Sequence, residues 1–60
     1  MEQNSLAEIK LLLLRFFRDP TRVDRWLETA NPHLGDQTPN EMIARGQIAR
    51  LLRWVKLHIN

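Results

Sequence analysis

The chain has 60 residues, no cysteine, and nine basic against seven acidic side chains, for a net charge of +2. A chain this short buries only about 60% of the surface that its unfolded form exposes, so residues 1–60 are read as a single domain of marginal stability. Without thiols it has neither a disulfide framework nor a thiolate metal site, and His33 and His58 stand at spacings unrelated to the carboxylates, so no metal and no cofactor is expected.

The opening "MEQNS" carries neither a basic segment nor a small-residue cleavage site. No signal peptide is expected, and the cytoplasm is the expected compartment. Ser5-Leu6-Ala7-Glu8 spells a capping box: the serine hydroxyl accepts from the glutamate amide while the glutamate reaches back to the serine amide. A helix is predicted to start there. On a helical wheel, Leu6, Ile9, Leu12, Leu13, Phe16 and Phe17 fall within an arc of about 140°, the predicted core face. Ala7, Leu11, Leu14 and Arg18 lie on the far side. The run Leu11 to Leu14 is closed by Arg15 and is far short of the ~20 residues of a membrane span, so no membrane is expected among the partners.

Asp19-Pro20 ends this helix, because the residue before proline is driven out of the helical region. The same pair starts the next, with aspartate as cap and proline in the first position. That second helix, about Pro20 to Thr29, places Val23, Trp26 and Leu27 on one face and leaves Arg22, Asp24, Arg25 and Glu28 to solvent. Asn31-Pro32 and Gly35-Asp36 mark a loop in which Leu34 is the residue expected to be buried. Thr38-Pro39-Asn40-Glu41 is a second capping box, and Gly46 ends the helix it opens after about two turns. From Gln47 a last helix is predicted, with Ile48, Leu51, Leu52, Val55 and Ile59 on its inner face. No segment alternates like a strand. The predicted fold is all-α, a small compact bundle of four helices, two longer and two short.

The central stretch carries more than punctuation. Trp26-Leu27, Asn31-Pro32, Leu34-Gly35, Thr38-Pro39 and Gly46 reproduce in order, and roughly in spacing, the signature of the toxin-binding domain of Xre/MbcA/ParS-family antitoxins. "LLRFFRDP" resembles the helix and turn that precede it, so the resemblance covers nearly the whole chain. The signature residues Trp26, Leu27, Pro32, Leu34, Gly35, Thr38, Pro39 and Gly46 are determinants of the fold: an aromatic anchor, a pinned loop, a permissive backbone position and a restarted helix.

Antitoxins of this family usually carry a helix-turn-helix DNA-binding domain ahead of the module, and here the chain begins only a few residues before it. Nucleic acid is therefore not expected as a partner of this chain alone. The resemblance implies a non-enzymatic part in a bacterial toxin–antitoxin system: binding a cognate RES-domain toxin, an NAD-consuming enzyme, and blocking its active site. In such complexes the last helix and the chain end form the contact. Here that surface is Arg50, Arg53, Trp54, Leu57 and His58, on the flank outside the core stripe. Tryptophan among arginines is the composition of a binding hot spot, while the alternative for Trp54 is to pack across the edge of the core.

Ala7, Leu11 and Leu14 suggest an association surface, either a homodimer or a toxin contact, unless the short helices or chain ends fold over the leucines. Arg15, Arg18, Arg22 and Arg25 recur at helical spacing, but Pro20 interrupts them and Asp19 and Asp24 lie among them. The expectation is a solvated, salt-bridged face rather than a phosphate-binding stripe. Asp24 and Glu28 share a helix face with arginines beside them and no nucleophile nearby, which is not a catalytic pair. The alternatives to a toxin-binding module are a small nucleic-acid-binding regulator and a homodimerisation module.

Overall fold

The structure, a computed structural model, describes the backbone of residues 2–59 and the side chains of residues 5–59. Four helices follow one another: α1 (Glu2–Phe17), α2 (Pro20–Leu27), α3 (Pro39–Ala44) and α4 (Ile48–His58), with a single 3-10 turn at Pro32–Leu34 between α2 and α3. Among the described residues no strand forms, and the one extended pairing is an isolated bridge between Asn31 and Gln37. The all-α bundle of two longer and two short helices is thus observed.

α1 departs from expectation at its start. It begins at Glu2, so Ser5 lies within the helix instead of capping it. No proline or glycine stands between Glu2 and Ser5, and nothing there stops the helix from running on. Its other end follows the chemistry of Asp19-Pro20. The Arg18 amide donates to the Leu14 carbonyl at 2.7 Å, and Arg18 takes a left-handed conformation, φ 58°. Asp19 is extended, as a residue before proline must be, and its Oδ1 accepts from the Thr21 amide at 2.9 Å. One residue out of the helical region and one cap are enough to reverse the chain. α2 then ends at Leu27, short of the predicted Thr29, with Glu28 as its C-cap.

The third helix start is built as predicted. Thr38 Oγ1 accepts from the Glu41 amide at 3.0 Å, and Glu41 Oε1 accepts from the Thr38 amide at 2.7 Å. α3 closes at Gly46, φ 76°. The Gly46 amide donates to the Ile43 carbonyl and the Gln47 amide to the Met42 carbonyl, the paired bonds of a Schellman ending. The loop before it uses the same closure: the Gly35 amide donates to Pro32 and the Asp36 amide to Asn31, with Gly35 at φ 75°. At both glycines the space a Cβ would fill is open, so it is the backbone angle that selects glycine.

α1 packs most extensively on α4 and next on α2, while α3 lies against α4 and α2. Ile9, Leu13, Val23, Leu27, Leu34, Met42, Ile48, Leu51, Val55 and Ile59 form the buried core, with Leu6, Leu12, Phe17, Trp26, Ile43, Leu52 and Trp54 packed partly against it. Ile59 lies just past α4, where its amide caps the helix on Val55. The predicted core face of α1 fails at one residue, since Phe16 is 58% exposed. Phe17 takes the position beside Trp26, and Phe16 is left edge-on against Phe17 at 5.0 Å between centroids.

Candidate partner-binding site

α4 presents its outer flank because its inner one is fully occupied. Ile48, Leu51 and Val55 are buried, and Lys56 is tied to Glu8 of α1 at 3.0 Å. On the remaining side Arg53, Trp54, Leu57 and His58 stand three, four, seven and eight residues after Arg50, which makes one continuous strip. Leu57 is 73% exposed. Arg50 and Arg53 are exposed, and neither has an ion-pair partner among the described residues.

Trp54 does not stand free. It is half-buried, stacked on Trp26 of α2 with centroids 6.1 Å apart and planes at 25°. His33 of the 3-10 turn lies 6.2 Å from it and His58 lies 4.7 Å from it. The indole therefore does what the core-edge alternative describes, and it also forms one wall of the strip. His33, excluded as a metal ligand by its spacing, thus joins the aromatic cluster of α4. The sequence signal for its place was the Asn31-Pro32 pair, which repeats the Asp19-Pro20 start: Asn31 Oδ1 accepts from the His33 amide at 2.9 Å and turns that side chain toward α4.

The other predicted positions can be placed as well. Ala7, Leu11 and Leu14 lie exposed on α1, Leu11 at 55% and Leu14 at 41%, and Leu14 borders a shallow groove with Pro20 and Val23 of α2. Of the signature residues, Leu27, Leu34 and Pro39 are buried and Trp26 is half-buried. Thr38 caps α3. Gly35 and Gly46 hold left-handed turns, and Pro32 heads the 3-10 turn. The expected salt bridging among Arg15, Arg18, Arg22 and Arg25 is largely missing. Within the described residues the group has one pair, Arg22 with Asp19 at 4.0 Å, because Asp24 and Glu28 lie on the other flank of α2. Those two carboxylates border a groove with Leu6, Lys10, Leu27, Asn40 and Ile43.

No helix among the described residues is long and apolar enough to cross a membrane. No group of three or more histidines, cysteines, aspartates or glutamates is placed among them to hold a metal ion. Buried side-chain polar atoms without a partner are likewise absent among the described residues. The fold is that of a small all-helical module, with the strip on α4 and the two leucines of α1 among its exposed features.

The family can be named from the sequence. The model of the antitoxin Xre/MbcA/ParS C-terminal toxin-binding domain matches residues 12–55, and the chain belongs to that family. No curated protein and no solved structure matches it.

Proposed function

We propose that the chain neutralises a RES-domain, NAD-consuming toxin by laying the outer strip of α4 across it and covering the toxin's active site. The observation that supports this reading is Leu57, among the described residues the most exposed large apolar side chain, standing in a row with two arginines that have no ion-pair partner there and beside the Trp54 ring. Apolar, aromatic and guanidinium groups in one strip are what a binding hot spot needs. Family membership supplies a toxin as the partner, and the resemblance supplies the RES type. The chain itself does no chemistry in this reading, since inhibition comes from occupying space at the toxin's site.

The test is an NAD-consumption assay with a purified RES-domain toxin. The wild-type chain is expected to abolish turnover at equimolar ratio. Leu57→Glu and Arg53→Glu are expected to weaken inhibition at least about ten-fold, the effect of losing a hot-spot contact, with unchanged thermal melts. Full inhibition by both variants would move the contact elsewhere, and failure of the wild-type chain to inhibit would end the RES reading.

A homodimer through Ala7, Leu11 and Leu14 is the second reading, favoured by the exposure of the two leucines on α1, Leu11 at 55% and Leu14 at 41%. Small Ala7 one turn ahead of Leu11 lets a second helix approach closely. Sedimentation at micromolar concentration should show a dimer that Leu11→Glu dissociates; a monomer in both cases removes this reading.

A further inference from the structure

Charge on α2 is segregated. Arg22 and Arg25 share a flank with Thr29, and Asp24 and Glu28 share the opposite one, as their spacing of three and four residues requires. The basic flank joins Phe17 and Trp26 to form an open groove of about 370 Å³. The acidic flank faces a different groove, where Asp24 and Glu28 meet Lys10. The carboxylates of α2 therefore leave its own guanidiniums uncompensated. Arg22 reaches Asp19 at 4.0 Å, with both side chains largely in water, a geometry that contributes little. Arg25 has no ion pair among the described residues.

We propose that this groove holds an acidic segment of a partner protein, with one aromatic or aliphatic side chain seated on Phe17 and Trp26 and flanking carboxylates taken by Arg22 and Arg25. The planar guanidinium fork matches a carboxylate in two parallel hydrogen bonds. The ring floor provides apolar area beside it, so an occupant carrying both features gains at two kinds of contact, while a basic segment is repelled. A nucleic acid fits less well. It calls for a row of phosphate contacts, whereas the basic row breaks at Arg18, where the backbone turns left-handed, and only Arg22 and Arg25 of that row line the groove. The site goes beyond the toxin reading and lies on α1 and α2 instead of the α4 strip.

The experiment is a titration of the isotope-labelled chain with an acetylated, amidated peptide, Asp-Asp-Phe-Asp-Asp, followed by amide and side-chain N–H resonances. The expected result is a saturable shift at the Trp26 indole, the Arg22 and Arg25 Nε–H groups, and the Phe17 and Thr29 amides. Binding should weaken about ten-fold in Arg25→Glu, and Lys-Lys-Phe-Lys-Lys should cause no such shift. Arg25 is exposed and the Thr29 hydroxyl bonds only its backbone carbonyl, so the variant should melt like the parent; Arg22→Glu is the second variant. The proposal is overturned by the absence of a saturable shift, by shifts mapping elsewhere, by undiminished binding in both variants, or by tighter occupation of the groove by single-stranded oligothymidylate. No toxin enters the titration, so its outcome and that of the neutralisation assay are independent.

Discussion

Glu41 joins the local chemistry of this chain to a measurable pH dependence. The Thr38 amide and then the Thr38 hydroxyl side of the capping box hold its carboxyl below the usual carboxylate range, against a smaller opposing effect of burial. A lowered folded-state value means that the ionised glutamate stabilises the fold. That contribution is whole above the ordinary titration range of glutamate and is lost as pH falls through the lowered value. Melts of wild type and Glu41→Gln should therefore differ near neutrality and converge in acid. Thr38→Ala, read by denaturant midpoint, is expected to cost about 1 kcal/mol. At Gly46, where φ is 76° and the space around the Cα is open, alanine should cost about 1 kcal/mol through the backbone alone, and asparagine less. Arg18→Gly should have the opposite sign and stabilise by roughly 0.5 kcal/mol, since arginine holds a left-handed angle there. The caps at Asp19 and Thr38 were legible in the sequence because a cap is settled within three residues. The left-handed Arg18 was not, because only the directions of α1 and α2 show which residue must absorb the reversal. The 3-10 turn was legible in principle: Asn31-Pro32 repeats the cap-proline pair of Asp19-Pro20, but Gly35 follows too soon for a full helix.

At the scale of the element, the inner faces of α2 and α4 follow from spacing, and Val23, Leu27, Ile48, Leu51 and Val55 are all buried. Phe16 shows where periodicity stops informing. A wheel reports direction but not whether a neighbour is present at that height, and one ring of the Phe16–Phe17 pair is enough beside Trp26. Leu51 sits fully enclosed on α4, the helix that meets both α1 and α3. Leu51→Ala should cost about 2–5 kcal/mol, the range for a large-to-small change in a packed core. A domain of this size has little more than that in total, so the variant is expected to lose its cooperative thermal transition by circular dichroism. Phe16→Ala, by contrast, removes an exposed ring and should shift the midpoint little.

Considered as a whole, the molecule places its two unlike surfaces side by side. Trp26 is the floor of the arginine groove and Trp54 the wall of the α4 strip, and the rings are stacked on each other. The strip itself could be read from spacing along α4, and the exposure of Leu11 and Leu14 from the wheel of α1. The adjacency of groove and strip could not, because it depends on α2 and the 3-10 turn meeting α4 in three dimensions, with His33 completing the contact. This stack also gives the fold an optical signature. The chain's two indoles come from opposite sides of its central loop and lie 6.1 Å apart at 25° between planes, close enough for their electronic transitions to mix. The folded chain should show an exciton couplet in the far ultraviolet that vanishes in Trp26→Phe and fades as the two halves separate, so the joining of those halves can be followed without any added label.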